Sequence, residues 1–352
     1  MITQQRQQIA KPLPPEWFVD HDENAEMRWE AMRGSGHLVP TERFFVRNHT
    51  RTPEIDVDRW RLHVCGEAVE RELKLTYSGL ERLPSHGFTA AIECAGSGGR
   101  DLFGSQQGTP VEGTPWKLGG IGVATWRGVK LAEVLDRAGV RPEAVEIMAR
   151  GLDDPYVYDD IDHGPVRRPL PIAKALDDTL IALEMNGKLL EPDHGFPARL
   201  VVPGWVGVAS IKWLGALEVS DCRQFSPWNT RWYAGLSIQP VKSAFELAWE
   251  AQLPADRCIT LTGRSWSGYG PIQRVEVSTD GGAHWQRARL HGPNDAYGWV
   301  QWSLPWTPPP GRHELLARAT DVTGLTQPDR VPFNDGGYQF WAVARHPVTA
   351  TR

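Results

Sequence analysis

The chain has 352 residues, 41% of them hydrophobic and 23% charged, which is the composition of a folded globular protein and not of a disordered one. One hydrophobic core rarely serves a chain of this length, so we expect two domains. The formal net charge of −5 provides no overall basic surface, which argues against nucleic acid as a partner and requires any anion site to be local.

The first part of the chain mixes strand and helix signals. Thr76 is a suitable N-cap for a short helix, and apolar residues share one helical face over residues 131–138 until Gly139 ends the helix. Asn186-Gly187 is the favoured pair for a two-residue hairpin turn. This mixture predicts an α+β domain and not a regular series of βαβ units. Short apolar stretches rich in β-branched residues predict strands at residues 60–66, 88–94, 145–151 and 179–185.

After about residue 236 the helical periodicity disappears. Alternating strands follow one another at roughly ten-residue spacing, separated by Gly, Pro, Asp and Asn, which is typical of an immunoglobulin-like β-sandwich. We therefore predict two domains, residues 1–235 and residues 236–352. The strands of the second domain are predicted within residues 258–266, 272–282, 284–290, 297–304 and 312–322.

The sequence shows no targeting or membrane signal. Its start has no apolar segment of signal-peptide length, and no apolar run reaches 18 residues. We expect a cytoplasmic protein without a membrane partner, or a periplasmic one if a leader was removed from a longer precursor.

Cys94 stands between an apolar run and a glycine-rich loop, in the stretch AAIECAGSGGRDLFG (residues 90–104). Free cysteine is among the most buried residue types, so this thiol is consistent with a small core residue. The glycines would also let a large cofactor approach, and thiolates are soft ligands for soft transition metals. Both interpretations stay open from this stretch alone. Cys65, Cys222 and Cys258 form no CxxC pair and are interpreted as structural.

Cationic side chains cluster in two other stretches. Arg47 and His49 lie two residues apart in FFVRNH, on one side of an extended segment. His194, Arg199 and Lys212 surround a strand-like stretch with Pro and Gly in its turns. Each alone is typical of a solvated or salt-bridged side chain. Together with a loop cysteine they indicate a grip on phosphate or another oxyanion beside a metal.

These motifs, taken together, resemble the sulfite oxidase family of molybdenum-pterin enzymes over nearly the whole chain. The family pattern is matched by FVRNH at residues 45–49, CAG at 94–96, GLD at 151–153 and the block from EMNG to KWLG at 184–215. In the second domain, WSGYG and RVEVSTDGG are similar to the dimerisation domain of the family.

The resemblance implies a fold and a cofactor. The fold would be α+β: a mixed α/β molybdopterin-binding domain followed by an immunoglobulin-like β-sandwich that pairs two subunits into a homodimer. Cys94 would bind molybdenum together with the two dithiolene sulfurs of one pterin. Tyr233 would lie beside the reactive oxygen, and Trp116 would line the substrate pocket. The residues that would hold the cofactor are Phe45, Arg47, His49, Cys94, Asp153, His194, Arg199 and Lys212.

The chain departs from the family where arginines usually hold the substrate. Gly99 and Pro271 stand at two positions where arginine is expected, while Arg47 is present. Each lost charge-assisted contact would be worth about 1.5–3 kcal/mol. We hypothesise that Arg100, or Arg167 and Arg168 in GPVRRPLP, restores a positive pocket; otherwise the pocket is suited to a less charged substrate.

The resemblance implies oxidation of sulfite, or a related small sulfur oxyanion, by oxygen-atom transfer. Electrons would pass to an external cytochrome, another carrier or oxygen, and the absence of a CxxCH motif leads us to expect no haem. Two alternatives stay open. The same cofactor could reduce S-oxides, nitrate or another oxo substrate, or the chain could be a cofactor-free assembly protein.

Overall fold

Two β-sheets with short helices between them form the first part of the chain in the computed structural model, which describes residues 8–352. One sheet has the strand order β11-β8-β15-β4-β5, and the other has the order β13-β12-β7-β6, with β14 added beside β12. A small sheet β1-β2-β3 and a hairpin β9-β10 complete this part. The strands are β1 (Phe18–Asp20), β2 (Asn24–Met27), β3 (Val46–Arg47), β4 (Leu62–Cys65), β5 (Leu73–Leu75), β6 (Ser85–Glu93), β7 (Ile121–Lys130), β8 (Glu146–Gly151), β9 (Val157–Tyr158), β10 (Ile161–Asp162), β11 (Arg167–Pro171), β12 (Leu180–Met185), β13 (Lys188–Leu189), β14 (Arg199–Val201) and β15 (Leu214–Ser220).

The helices are short and follow the local sequence signals. Thr76 caps the first helix by accepting a 2.9 Å hydrogen bond from Gly79 N, and Gly139, at φ +68°, ends the third. No helix in the described part of the chain has the length and apolar character needed to cross a bilayer. The α-helices are α1 (Tyr77–Glu81), α2 (Gly99–Ser105), α3 (Leu131–Ala138), α4 (Ile172–Asp177) and α5 (Pro227–Thr230). The 3₁₀ helices are Trp29–Met32, Thr41–Arg43, Pro192–His194 and Gly207–Ala209.

The four strands predicted in the first part are all present, as β4, β6, β8 and β12. Asn186 and Gly187 both have positive φ and connect β12 to β13, as the hairpin signal predicted. Only β15 and β4 pair in parallel among the described strands of the two large sheets. The predicted α+β class is therefore confirmed.

A β-sandwich forms the second part. One sheet has the order β16-β18-β22-β21, and the other has the order β17-β24-β23-β19-β20. All five predicted strand segments are present, with residues 284–290 divided into two short strands. The boundary between residues 235 and 236 stays a prediction. The strands are β16 (Lys242–Phe245), β17 (Ala251–Pro254), β18 (Ile259–Trp266), β19 (Ile272–Ser278), β20 (Gln286–Arg287), β21 (Arg289–His291), β22 (Trp299–Trp306), β23 (Gly311–Asp321) and β24 (Arg345–Thr351).

The two parts share one hydrophobic cluster. Trp266 and Trp299 of the sandwich lie in the same buried cluster as Trp29, Phe103 and Cys94 of the first part. The indole rings of Trp29 and Trp266 stack with their centroids 6.0 Å apart. The loop that carries Cys94 is therefore packed between the two parts.

Candidate functional site

Cys94 begins a tight loop at the end of β6. Its backbone N–H donates to Gly120 O at 2.8 Å, and Ser97 N–H donates to Cys94 O at 2.9 Å. Gly98, at φ +81°, then turns the chain into α2, a conformation that favours glycine. The thiol is 7% exposed and faces a cavity. This answers the question left open by the sequence: the thiol is buried, but it lines an open space.

The cavity encloses about 770 Å³ of empty space, open solvent included. All eight residues predicted to hold a cofactor line it, although they come from six separate segments of the chain. Tyr233 lines it as well. Its chemistry-bearing residues are Arg47, Asn48, His49, Cys94, Asp153, Asp193, His194, Arg199, Ser210, Lys212 and Tyr233.

What we call the basic side of the cavity is formed by His194, Arg199 and Lys212. Its two cations are the buried Arg199 and the partly buried Lys212. The guanidinium of Arg199 donates to His194 O and Ser210 O, both at 3.0 Å, and to no carboxylate within residues 8–352. The ammonium of Lys212 donates to Asp193 O at 2.8 Å and to the Asn48 side chain. Burial lowers the pKa of Arg199 to about 9, and burial followed by the charge of Arg199 lowers the pKa of Lys212 well below its ordinary value. An anion bound here would offset this desolvation cost.

Lys11 is a further buried cation on this side that the sequence did not predict. Its ammonium lies 3.3 Å from His194 Nε2 and donates to the Phe44 carbonyl. Burial lowers the pKa of Lys11 to about 8, and burial followed by the charge of Lys11 keeps the pKa of His194 well below its ordinary value. His194 is therefore neutral. Lys11 follows no periodic pattern, so no sequence signal could have found it.

Asn48 and Asp193 are two further lining residues that the sequence did not single out. Asn48 is buried, and its side-chain carbonyl accepts from Lys212. The Asp193 carboxylate accepts from the backbone N–H groups of Ala10, at 2.9 Å, and Lys11, at 2.7 Å. Asn48 lies within the predicted FVRNH motif, and Asp193 directly precedes His194. The sequence signal that could have found both residues is that each one lies next to a predicted site residue.

What we call the thiol side of the cavity is formed by Cys94, Arg47 and Tyr233. Burial alone would lower the pKa of Arg47, but Tyr233, Cys94 and Tyr338 together raise it above its ordinary value. Arg47 is therefore a permanent cation beside the thiol. Its guanidinium donates to Asn24 Oδ1 at 3.3 Å and to Asn48 O.

Tyr233, His49 and Trp228 form a hydrogen-bonded group on the thiol side. The Tyr233 hydroxyl lies 3.2 Å from His49 Nε2, and Trp228 Nε1 lies 3.4 Å from the same nitrogen. An indole N–H can only donate, so Nε2 is the acceptor and Nδ1 carries the proton. Burial, followed by the charge of Arg47, holds the pKa of His49 well below its ordinary value. His49 is thus a neutral acceptor for the Tyr233 hydroxyl, whose residue has a left-handed φ of +54°.

Phe45 and Asp153 complete the predicted set. Phe45 is 6% exposed, and its ring meets that of Trp116 edge to face at 6.3 Å between centroids. The Asp153 carboxylate accepts from Val166 N–H at 3.0 Å, and burial raises its pKa. Asp153 can therefore present both a hydrogen-bond acceptor and, when protonated, a donor to a ligand in the cavity.

Trp116 lies behind Cys94 and is not among the residues that line this cavity. A Cβ atom added to Gly96 would lie 3.8 Å from Cys94 Sγ and 3.9 Å from Trp116 Cδ1, which places the indole beside the thiol. The residue is 2% exposed. Its position supports the thiol loop from within the core.

The structure does not bring Arg100, Arg167 or Arg168 into the cavity. Arg100 Nε donates to Gly336 O at 3.4 Å, and Arg167 donates to His163 O at 3.0 Å. Arg168 donates to the carbonyls of Trp228, Tyr233 and Leu236. Burial lowers the pKa of Arg168 to about 10. Arg168 is thus a positioning residue that holds the backbone around Tyr233.

Residues of the sandwich hold the Cys94 loop. Lys242 Nζ donates to Glu93 Oε1 at 2.8 Å and to Ser97 O at 2.9 Å. Trp266 Nε1 donates to the other oxygen of Glu93 at 3.0 Å. The side chains of Lys242 and Glu93 are 2% and 3% exposed, so this ion pair is buried directly beside the thiol. The geometry of the loop depends on both parts of the chain.

Two family models match the chain. The one described as "Oxidoreductase molybdopterin binding domain" matches residues 49–228, and the one described as "Mo-co oxidoreductase dimerisation domain" matches residues 239–342. The first match covers the cavity residues from His49 to Trp213, and the second covers strands β16 to β23 of the sandwich.

Individual relatives agree with the family models. The mitochondrial sulfite oxidase of Mus musculus is 34% identical over 325 residues, which cover 84% of this chain and 58% of that protein. The sulfite oxidase of Gallus gallus is 36% identical over 325 residues, covering 84% of this chain and 69% of that protein. The chain thus spans less than two thirds of the mouse protein. Among solved structures, the sulfane dehydrogenase SoxCD from Paracoccus pantotrophus superimposes with a TM-score of 0.81 at 29% identity, covering 95% of this chain and 87% of that chain.

Proposed function

Because the chain belongs to the sulfite oxidase family of molybdopterin-dependent oxidoreductases, as its sequence predicted, we propose that it oxidises sulfite or a related small sulfur oxyanion. One observation carries the proposal: Cys94, Arg47 and Tyr233 line the same cavity as Arg199 and Lys212. A soft thiol beside a permanent cation, together with buried cations that lack an anion, fits a metal-bearing group with an anionic tail.

The cavity residues fit a molybdenum-pterin cofactor with one pterin per metal. Cys94 would bind the metal, and His194, Arg199 and Lys212 would hold the phosphate. Phe45, Arg47, His49 and Asp153 would contact the pterin. When bound, the cofactor would supply oxygen-atom transfer to sulfur and take up two electrons.

The chain's own residues would orient the substrate and manage protons. Arg47 attracts the oxyanion to the thiol side by its charge. The net reaction joins sulfite and water into sulfate, forms one S–O bond and releases two electrons and two protons. The Tyr233 hydroxyl donates to His49 Nε2 at 3.2 Å, so its oxygen would accept a departing proton while its own proton moves on to that nitrogen.

The electrons would leave singly to an external acceptor, such as a cytochrome, another carrier or oxygen.

The dimerisation domain supports assembly as a homodimer. We place the enzyme in the cytoplasm. Light scattering tests the homodimer, and cofractionation with cytoplasmic markers tests the location. Neither measurement depends on turnover.

The test combines composition and turnover in purified protein. Molybdenum and pterin at about one each per chain, with sulfite-dependent reduction of ferricyanide, would support the proposal. Cys94→Ser should abolish turnover and change the visible absorption of the bound metal, whereas Cys258→Ser, at an exposed free cysteine, should change neither. A molybdenum-replete enzyme that leaves sulfite and other sulfur oxyanions unoxidised, and instead reduces nitrate or sulfoxides with a reduced dye, would overturn it.

A further inference from the structure

A segment of the second domain, residues 334–339, lies against the Cys94 loop; we call it the covering segment. It belongs to the connection between β23 and β24. Gln339 N–H donates to Ala95 O at 2.6 Å, and its side chain donates to Ile238 O at 2.8 Å. Asn334 closes the turn by accepting from Tyr338 N–H at 2.7 Å and donating to Tyr338 O at 2.9 Å. The segment is therefore anchored at the residue after the thiol.

The covering segment occupies the space that an arginine at residue 99 would need. A Cβ atom at Gly99 would overlap the carbonyl of Gly337. Arg100 is bonded to the same segment, through Gly336 O at 3.4 Å. An arginine side chain therefore has no room at position 99 while the covering segment is in place. The guanidinium of Arg100 instead contributes a hydrogen bond to that segment.

Tyr338 brings a neutral aromatic hydroxyl next to Tyr233. The two rings stack with centroids 4.6 Å apart and planes inclined by 29°. Tyr338 is half-buried, and its hydroxyl makes no hydrogen bond to a residue in the range 8–352. Burial, followed by Tyr233, raises the pKa of Tyr338, and the charges of Arg100 and Arg47 offset part of this rise. Tyr338 is not among the residues that line the cavity, but its protonated hydroxyl belongs to a ring stacked on the lining residue Tyr233 and has a donor with no partner among residues 8–352.

The thiol side is otherwise aromatic. Tyr233 and Trp228 share a hydrophobic cluster with Tyr156, Trp232 and Tyr338. Tyr156 meets the His49 ring at 5.4 Å and the Trp232 ring at 5.5 Å. Such surfaces favour an apolar substituent over a second negative charge.

We propose that Tyr338 is a specificity-determining residue, and that the preferred substrate is a sulfur oxyanion with one negative charge and an apolar substituent, an organic sulfinate (R–SO₂⁻). This inference rests on the proposed function and names its substrate class. Arg47 balances the single charge, Tyr338 donates a hydrogen bond, and the aromatic cluster receives the substituent. The net reaction joins R–SO₂⁻ and water into R–SO₃⁻, forms one S–O bond and releases two protons and two electrons to the same external acceptor.

The first experiment measures binding without turnover. Calorimetry on the cofactor-loaded enzyme compares methanesulfonate, which carries one charge, with sulfate, which carries two. We expect methanesulfonate to bind at least about tenfold more tightly than sulfate. The second charge of sulfate would be desolvated without a cationic partner. Tighter binding of sulfate would contradict the inference whether or not the enzyme turns over.

Substitutions then test Tyr338 itself. Tyr338→Phe keeps the stacked ring and removes one hydrogen bond, so methanesulfonate binding should weaken about two- to tenfold. Tyr338→Arg should shift the preference towards sulfate. Tyr77→Phe, at a tyrosine packed against a different hydrophobic cluster of the first part, is the matched control and should change neither affinity. Unchanged affinities in Tyr338→Phe would overturn the role of the residue, even if Tyr338→Arg does not fold.

Turnover separates this inference from the proposed function. Methanesulfinate should be oxidised with a higher kcat/KM than sulfite when ferricyanide is the acceptor. If a molybdenum-replete enzyme oxidises neither, the proposed function fails. If it oxidises sulfite in preference, the proposed function stands and this inference fails.

Discussion

The two sides of the cavity hold charge in opposite ways. The basic side has the cations Arg199 and Lys212, with the buried Lys11 next to its His194, and all three are bonded mainly to backbone carbonyls. The thiol side has one lining cation, Arg47, among aromatic rings and hydroxyls. Positive charge is thus concentrated where the proposed cofactor phosphate would bind, while the thiol side has the single charge of Arg47.

The largest expected effect is a loss of stability when the buried ion pair of Lys242 and Glu93, next to the Cys94 loop, is broken. Lys242→Met would leave the Glu93 carboxylate buried without its partner, which costs about 3–5 kcal/mol of unfolding free energy. Urea unfolding followed by tryptophan fluorescence measures this change. Arg352→Met, which breaks the exposed pair of Arg352 with Asp256, should cost less than about 1 kcal/mol. Equal losses in both variants would show that the buried pair does not hold the loop.

The next effect concerns the basic side. Arg199→Leu should weaken cofactor retention about 10- to 100-fold, since one charge-assisted contact to phosphate is worth about 1.5–3 kcal/mol. Equilibrium dialysis against free cofactor measures it. Arg150→Leu, at an exposed arginine of β8, serves as control and should retain the cofactor normally. If Arg199→Leu retained the cofactor like the control, the phosphate would lie elsewhere.

The last effect, the smallest for each proton and pH unit, is the pH dependence of cofactor binding. Burial depresses the pKa of Lys212, Lys11 and Arg199, and a bound phosphate would raise all three by favouring their charged forms. Binding therefore takes up protons, so affinity should fall as pH rises, by at most about tenfold per pH unit for each proton taken up. Dialysis at about pH 7 and about pH 9 measures the slope. An affinity that rises with pH would contradict the assignment of these three side chains as cations in the bound state.

The sequence predicted the sheets, the sandwich and nine residues that line one cavity. It succeeded because strand periodicity and motif residues are local signals. It did not predict the hydrogen-bond acceptors of Arg168. A long arginine side chain can reach either a ligand or a backbone carbonyl, and the folded backbone determines which of them lies within reach. Tyr338 was missed for a related reason. It lies in the loop-like stretch NDGGYQ, and its stacking on Tyr233 is a contact across 105 residues.

The central claim is that the Cys94 thiol binds a redox-active metal held by the basic side. X-ray absorption at the molybdenum edge, on protein loaded with cofactor, tests it most directly. We expect three sulfur neighbours for the metal in the wild-type protein and two in Cys94→Ser. Three sulfur neighbours in both proteins would contradict it.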